Sequence, residues 1–295
     1  MKNIAFIINP ISGTQQGIKR KLPKLIDKEL DHKQWLPNIV FTEYPGHATE
    51  MARQFAVMGF DAVVAVGGDG TVNEVAQGLR DTSTALGILP MGSGNGFARH
   101  LHIPMQPARA IQMLNHSEAI ACDYGLANDK LFVTTCGTGF DAQIADRFAG
   151  AGKRGFKTYV ESVVKDLLTY KSQTYHITGD GLDLEHKAFL ITFANASQWG
   201  NDAFIAPKAS VQDGQLDICM MSSSALLGAP GLALRLFTKS IDNSLFMDTV
   251  KARDVMLYRE DEAPFHIDGD PVKMPKDIRI RIVEDGLKVL VEKRF

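Results

Sequence analysis

The sequence predicts an α/β N-terminal domain with a doubly wound, mostly parallel sheet, followed by a mainly antiparallel β-sandwich domain. Over residues 1–120, short apolar runs alternate with helical segments, a pattern typical of parallel strands joined by crossover helices. Over residues 121–295, short strands are joined by hairpin signals. The length of 295 residues suits two domains of about 100–200 residues each. The sequence leaves open which of the two domains the last strands, within 277–294, pair with.

The first domain contains four predicted strands, the first of which is a continuous apolar run suited to a strand buried on both faces. These strands are residues 4–8, 38–42, 61–66 and 85–89. Helices are predicted at 18–31, 48–58, 71–79 and 106–115, with a short helix after residue 96. In a parallel sheet, the loops that follow the strands gather at one edge, where ligands bind.

The second domain contains four hairpin signals and two helical segments. The hairpin signals are Asn128-Asp129, Gly179-Asp180-Gly181, Asp268-Gly269-Asp270 and Glu284-Asp285-Gly286. The two predicted helices are residues 155–170 and 225–238. Only two helices among many short strands favour an antiparallel sandwich.

Composition excludes several classes of protein. The formal net charge of −2 argues against nucleic acid as a partner and against strong electrostatic binding to membranes. No apolar run approaches the roughly 18–20 residues that a transmembrane helix needs. The three cysteines are far apart, without metal or disulfide spacing, and are predicted to be buried thiols. We therefore expect a cytoplasmic protein that makes transient peripheral contact with membranes.

The central motif is Gly67-Gly68-Asp69-Gly70-Thr71-Val72-Asn73-Glu74, which lies between a predicted buried strand and a predicted helix. Glycines allow a polyphosphate to approach the backbone, and the start of a helix presents N–H groups and a positive dipole end. Asp69 cannot attract phosphate, so we expect it to hold a Mg²⁺ ion that accompanies a nucleotide. A lone Gly-Asp-Gly is more often a tight turn with Asp as a helix cap. Its position after a buried strand favours the phosphate site.

Two further loops follow predicted strands. Ser93 and Asn95, in Gly92-Ser93-Gly94-Asn95-Gly96, are predicted to hydrogen-bond a nucleotide, although alone this loop is equally well a flexible turn. The loop from Asn9 to Thr14 has a similar composition and is weaker evidence alone. Three such loops at one sheet edge support a nucleotide site better than any one of them.

Six motifs together resemble the diacylglycerol kinase catalytic-domain family, whose superfamily includes sphingosine, ceramide and, more distantly, NAD kinases. They are Asn9-Pro-x-Ser-Gly13, Gly67-Gly-Asp-Gly-Thr-x-Asn-Glu74, Pro90-x-Gly-Ser-Gly-Asn95 with Phe97-Ala-Arg99, Gly137-Thr-Gly-Phe-Asp141, Asp213-Gly-Gln-Leu-Asp217 and Asp268-Gly-Asp270. The resemblance implies ATP and Mg²⁺ as cofactors and a lipid hydroxyl as acceptor. It also implies that the first domain binds the nucleotide and the second binds the lipid substrate at the membrane surface.

The resemblance assigns roles to individual residues. Implied at the ATP site are Asn9, Pro10, Ser12, Gly13, Thr14, Thr42, Gly67, Gly68, Asp69, Gly70, Thr71, Asn73, Glu74, Ser93 and Asn95. Asp268 is implied to be the catalytic base, with Asp69 as the second catalytic carboxylate. Ser210, Asp213 and Gln215 are implied to bind a structural Mg²⁺, with Ser210 and Gln215 contributing main-chain oxygens.

The acceptor is left open by the sequence. Gly96 stands where the diacylglycerol-type loop usually has an Asp, which makes the loop resemble that of sphingosine kinases. Two alternatives to a lipid kinase remain, a kinase that phosphorylates NAD and a non-catalytic lipid or nucleotide sensor on the same scaffold. Asp69 and Asp268 argue against the sensor, and a homodimer is left open.

Overall fold

The computed structural model describes residues 1–11, 21–150 and 169–293. By internal contacts the chain divides into two compact units, one formed by Met1–Tyr124 with Glu284–Phe295 and the other by Gly125–Val283. One long strand, β15, leaves the second unit and enters the first.

The first unit is a parallel sheet with helices in the connections. Its elements are β1 (Lys2–Ile8), α1 (Leu22–Glu29), β2 (Trp35–Phe41), α2 (His47–Val57), β3 (Ala62–Gly67), α3 (Asp69–Leu79), β4 (Ala85–Pro90), α4 (Gly96–His100), α5 (Pro107–Leu114) and most of β5 (Ser117–Ala127). The strands are ordered β2-β1-β3-β4, all parallel, with the second half of β15 beside β4. Every residue of β3 and β4 is buried, as their continuous apolar sequences predict. The predicted α/β domain is thus confirmed.

The second unit is antiparallel. Its elements are β6 (Lys130–Phe132), β7 (Thr135–Gly139), α6 (Phe140–Gly150), β8 (Gln173–Gly179), β9 (Leu182–Ala194), β10 (Leu216–Ser222), α7 (Ala229–Phe237), β11 (Met247–Ala252), β12 (Asp254–Arg259), β13 (Phe265–Ile267), β14 (Asp270–Val272) and the first half of β15 (Asp277–Glu292). The strands are ordered β14-β13-β7-β9-β8-β12-β15, and β10 pairs with both β9 and β11. All these pairings are antiparallel, so the predicted second domain is also confirmed.

Three of the four predicted hairpins form. The turns at 128–129, 180–181 and 268–269 each join two paired strands. The fourth prediction, at Glu284-Asp285-Gly286, is wrong because these residues lie inside β15. Asp285 has a φ of 53°, and its N–H donates to Asp123 Oδ1 at 2.9 Å. The turn-like residues therefore make a local irregularity in one strand at the point where it passes between the units.

The helices differ from the sequence expectation in three places. Helix α3 begins at Asp69 rather than Thr71, because Gly68 is its N-cap. Helix α6 was missed, since Phe140 and Asp141 end a glycine-containing motif and gave no helical signal. The segment predicted as 225–238 is a 3-10 turn, Ala225–Gly228, followed by α7. Most of the helix predicted at 155–170, and the start of the one at 18–31, fall outside the described residues.

None of the helices in the described ranges combines the length and apolar character that a bilayer-spanning segment requires.

The reactivity of the three cysteines tests how tightly the interiors of the two units are packed. Cys122, Cys136 and Cys219 are all buried and unpaired. Burial raises the pKa of the Cys122 and Cys219 thiols to about 12 and that of Cys136 well above its usual value. Because the thiolate is the reactive form, we predict no reaction of the native protein with Ellman's reagent at pH 8 and reaction of all three thiols in denaturant. Rapid labelling of any cysteine in the native protein would contradict the packing described.

Candidate active site

The glycine motif after β3 packs backbone to backbone against the loop after β4. A Cβ atom placed on Gly92 would lie 2.6 Å from Gly68 Cα, which is too close for any side chain. Gly68 is the N-cap of α3 and supplies no side-chain cap to the first turn of the helix. The two loops therefore leave the N-terminus of an 11-residue helix at the carboxyl edge of the sheet, the position where anions bind such helices.

Asp69 joins these two loops. Its Oδ2 accepts the Asn95 N–H at 2.8 Å, and its Oδ1 accepts the Gly96 N–H at 2.7 Å. Asn95 has a φ of 53° and precedes helix α4, so the Asp69 carboxylate serves as a cap for that helix from another loop. Gly96, the departure noted in the sequence, contributes its N–H to this cap. The Mg²⁺ role of Asp69 stays a prediction, and the observed contacts give it an anchoring role.

The Asn95 side chain holds its own loop. Its Oδ1 accepts the Gly92 N–H at 3.0 Å, and its Nδ2 donates to the Gly92 carbonyl at 2.8 Å. Arg99 Nε donates to the Gly94 carbonyl at 3.1 Å. Asn95 is buried, whereas Ser93 is exposed. Of the two residues of this loop that were predicted to contact a nucleotide, Ser93 is the accessible one.

Glu74 serves a different helix. Its two carboxylate oxygens accept the N–H groups of Gly46 at 3.0 Å and of Ala48 at 3.2 Å, at the start of α2. A carboxylate at a helix N-terminus stabilises the helix through its unpaired N–H groups. Glu74 therefore fixes the segment after β2, which begins at Thr42, instead of facing the glycine loops.

Of the remaining predicted nucleotide residues, those that the structure describes lie along the same edge. Asn9 Nδ2 donates to Thr71 Oγ1 at 3.3 Å, and the Thr42 N–H donates to the Ile8 carbonyl at 2.9 Å. Gly70 and Asn73 lie in the first two turns of α3, Gly67 ends β3, and Pro10 is exposed. Ser12, Gly13 and Thr14 lie outside the described residues.

In the second unit, Asp268 is the anchor of the β13–β14 hairpin. Its carboxylate accepts the N–H groups of Val133 at 3.0 Å, Thr134 at 2.8 Å and Thr135 at 3.1 Å, as well as the Thr134 hydroxyl. Three successive backbone N–H groups that point at one anion form a nest. Asp268 is also buried, with 9% of its surface exposed. These contacts occupy most of its lone pairs and leave little room for a proton from a substrate.

Asp270 is the exposed carboxylate of the same hairpin. Gly269, between the two aspartates, has a φ of 86°, and a Cβ placed on it would meet no atom within 4 Å. The turn therefore leaves open space at Gly269, the residue before Asp270.

Buried Arg259 clamps both ends of the segment that carries this hairpin. Its Nη1 donates to the Ala263 carbonyl at 2.8 Å, before β13, and its Nη2 donates to the Met274 and Pro275 carbonyls at 3.0 and 2.7 Å, after β14. Beside it, His266 Nε2 lies 3.1 Å from Asp141 Oδ2, which also accepts the Thr192 hydroxyl. The motif ending at Asp141 was recognised in the sequence, but its partner His266 and the clamp by Arg259 were not, because only the fold brings these residues together.

The predicted metal site contains an ion pair. Asp213 Oδ1 accepts the Gln215 N–H at 3.1 Å, while Asp213 Oδ2 lies 2.6 Å from Lys251 Nζ. Ser210 Oγ accepts the Gln212 N–H at 3.3 Å. Within the described residues, no group of three His, Cys, Asp or Glu side chains is arranged to hold a metal. A divalent cation bound to Asp213 would be repelled by the ammonium already on that carboxylate, so the Asp213 side chain as placed does not fit one.

Two family models match the chain. Residues 3–127 match the diacylglycerol kinase catalytic domain, and residues 134–291 match the YegS C-terminal NAD kinase beta sandwich-like domain. The chain therefore belongs to the family whose members combine a diacylglycerol kinase catalytic domain with a YegS C-terminal domain. The family suggested by the sequence motifs is thereby confirmed.

Curated relatives carry corresponding names. A protein of Yersinia enterocolitica named probable lipid kinase YegS-like is 26% identical over 295 residues, covering 98% of this chain and 96% of that protein. A Pseudomonas putida protein of the same name is 29% identical over 213 residues, covering 68% of this chain and 72% of that one.

Solved structures share the fold. A crystal structure described as a diacylglycerol kinase from Bacillus anthracis strain Sterne has a TM-score of 0.75 and 23% identity, covering 98% of this chain and 97% of that one. Another structure from the same organism has a TM-score of 0.79 and 24% identity, covering 98% and 95%.

The role of Asp268 as an anchor can be measured as stability. In Asp268→Asn, an amide NH₂ would face backbone N–H donors, and a buried donor left unsatisfied costs about 1–3 kcal/mol. We predict that the melting temperature falls by roughly 2–10 °C. Asp270→Asn, in the same turn but exposed, is the matched control and should change it by no more than about 1 °C. Equal melting of Asp268→Asn and the parent protein would contradict the anchoring role.

Proposed function

We propose that this protein transfers the γ-phosphoryl group of ATP to a lipid hydroxyl, with diacylglycerol or a sphingoid-type lipid as acceptor. The observation that carries the proposal is the close approach of Gly68 and Gly92, which leaves no room for a side chain at either position beside the N-terminus of α3. The names of the relatives and the match to the diacylglycerol kinase catalytic domain support the same activity.

The nucleotide phosphates would bind at the start of α3. The exposed Ser93 and the backbone N–H groups of the two glycine loops would donate hydrogen bonds to them, and the helix dipole favours a polyphosphate. A Mg²⁺ ion bound with ATP would neutralise part of the phosphate charge. Phosphoryl transfer requires positioning and charge stabilisation more than covalent chemistry, so rigid loops suit this reaction.

We propose Asp270 rather than Asp268 as the group that takes the proton of the acceptor hydroxyl. Asp268 was the base suggested by the family resemblance, but its carboxylate is buried and accepts four hydrogen bonds. Asp270 lies two residues away, is exposed, and adjoins the open space at Gly269. Asp268 and Arg259 would then act by fixing the hairpin that presents Asp270.

NAD is the second candidate acceptor. The observation in its favour is that residues 134–291 match a domain described as NAD kinase beta sandwich-like. A direct test is to incubate the protein with Mg²⁺ and ATP labelled on the γ-phosphate, in parallel with diacylglycerol, sphingosine, ceramide and NAD. We expect label in a lipid product. Label in NADP alone would replace the proposal, and label in no product would support a binding role without transfer.

Nucleotide binding can be tested at the contact between the loops. In Gly92→Ala, the new methyl group would overlap Gly68 Cα and push the loops apart. We predict that the affinity for Mg·ATP, measured by calorimetric titration, falls at least about tenfold, equivalent to 1.4 kcal/mol. The control is Gly231→Ala in α7, where a Cβ would meet no atom within 4 Å. Unchanged affinity in folded Gly92→Ala would refute the site assignment.

The assignment of the base predicts opposite effects for the two aspartates. Loss of a general base typically lowers turnover by about 10²–10⁴-fold. We predict that Asp270→Asn loses at least 10²-fold in kcat on the best lipid acceptor, while its melting temperature and Mg·ATP affinity stay those of the parent. Near-normal turnover of Asp270→Asn would exclude it as the base and would return Asp268 to that role.

A further inference from the structure

Lys251 lies between two carboxylates that come from different parts of the second unit. Its Nζ is 2.6 Å from Asp213 Oδ2, in the turn before β10, and 3.4 Å from Asp217 Oδ2, in β10 itself. Lys251 belongs to β11 and is the direct cross-strand partner of Asp217 in the antiparallel β10–β11 pair. One ammonium thus connects the turn, the strand that follows it and the neighbouring strand.

Asp217 needs a cation at this position. Its side chain is only 5% exposed, and its buried Oδ2 accepts no hydrogen bond in the part of the chain that the structure describes. A buried carboxylate oxygen without a hydrogen bond is costly unless an opposite charge compensates it. The ammonium of Lys251 supplies that charge.

The turn also directs a carboxylate oxygen toward the ammonium of Lys251. Asp213 Oδ1 accepts the Gln215 N–H, and this bond directs the other oxygen of Asp213 toward Lys251. A divalent ion that took oxygen ligands from Asp213 would have to lie beside the ammonium, and their like charges repel. Lys251 and a divalent ion would therefore compete for the same position beside the Asp213 carboxylate.

We infer that Lys251 is the resident cation of the 210–217 turn and that it takes the place of a structural divalent ion in this protein. The inference is independent of the proposed phosphotransfer, because it concerns the stability of the second unit alone. It predicts a fold that needs no metal at this turn as long as Lys251 is present.

The test is thermal melting of the full chain without nucleotide, in 5 mM EDTA and in 10 mM MgCl₂ or CaCl₂. For the parent protein, we expect the same melting temperature within about 1 °C in all three conditions. Lys251→Met keeps the aliphatic length but removes the charge, so Asp213 and Asp217 should repel each other. We expect its melting temperature in EDTA to fall by about 3–8 °C. Divalent ions should restore most of the loss, Ca²⁺ better than Mg²⁺ because it tolerates irregular oxygen ligands.

Two control variants make the outcome decisive. Lys187→Met removes an exposed lysine from β9 and should melt like the parent in every condition. Lys251→Met combined with Asp213→Asn lowers the repulsion and should recover stability in EDTA while losing the response to Ca²⁺. Destabilisation of the parent by EDTA would show that a metal is resident and would overturn the inference. Two other results would overturn it as well, namely a Lys251→Met variant as stable as the parent, or one whose loss neither ion repairs.

Discussion

The structure depends on carboxylates that accept backbone N–H groups from other segments of the chain. Asp69 binds the Asn95 and Gly96 amides, Glu74 binds the start of α2, and Asp268 binds three successive amides at 133–135. Each interaction joins residues at least 26 positions apart in sequence. Hydrogen bonds to a charged group are stronger than neutral ones, so a few carboxylates can fix loops that have little apolar surface of their own.

This constraint links the fold to the proposed chemistry. Phosphoryl transfer depends on donors that are already in place before the substrate arrives. In the first unit the Asp69 carboxylate joins the two glycine loops, whose backbones lie in close contact. In the second unit, Asp268 and Arg259 hold the hairpin that presents Asp270. The two acidic residues that look catalytic in the sequence, Asp69 and Asp268, are thus anchors, and the candidate base proposed here is the exposed Asp270.

Much of the fold was predictable from the sequence, because it follows from local patterns. The buried runs at β1, β3 and β4 and the turns at 128–129, 180–181 and 268–269 each carry their signal within a few residues. The hairpin predicted at 284–286 was wrong, because these turn residues lie within β15, a strand that both units share. Helix α6 was not predicted, because it begins inside a glycine motif. A local pattern cannot reveal which distant segment will pair with a strand or form hydrogen bonds with a turn.

The location of the proposed site comes from the sequence motifs, whose loops follow β3 and β4 at one edge of the sheet. The roles of its residues do not, because a carboxylate that holds a metal, takes a proton or caps a helix looks the same in sequence. Asp69 and Asp268 differ from Asp270 only in what the fold places around them. The sequence could not predict the role of Lys251, because that role depends on the β10–β11 register that places Lys251 opposite Asp217.

The central claim is that these loops are formed by their carboxylates before any ligand binds. Amide hydrogen exchange on the protein without nucleotide tests it directly at Asn95, Gly96, Val133, Thr134 and Thr135. The account predicts slow exchange at these amides in the parent, with selective loss of protection at 95–96 in Asp69→Ala. Exchange at the rate of an unstructured chain in the parent, with protection appearing only when Mg·ATP is added, would contradict it.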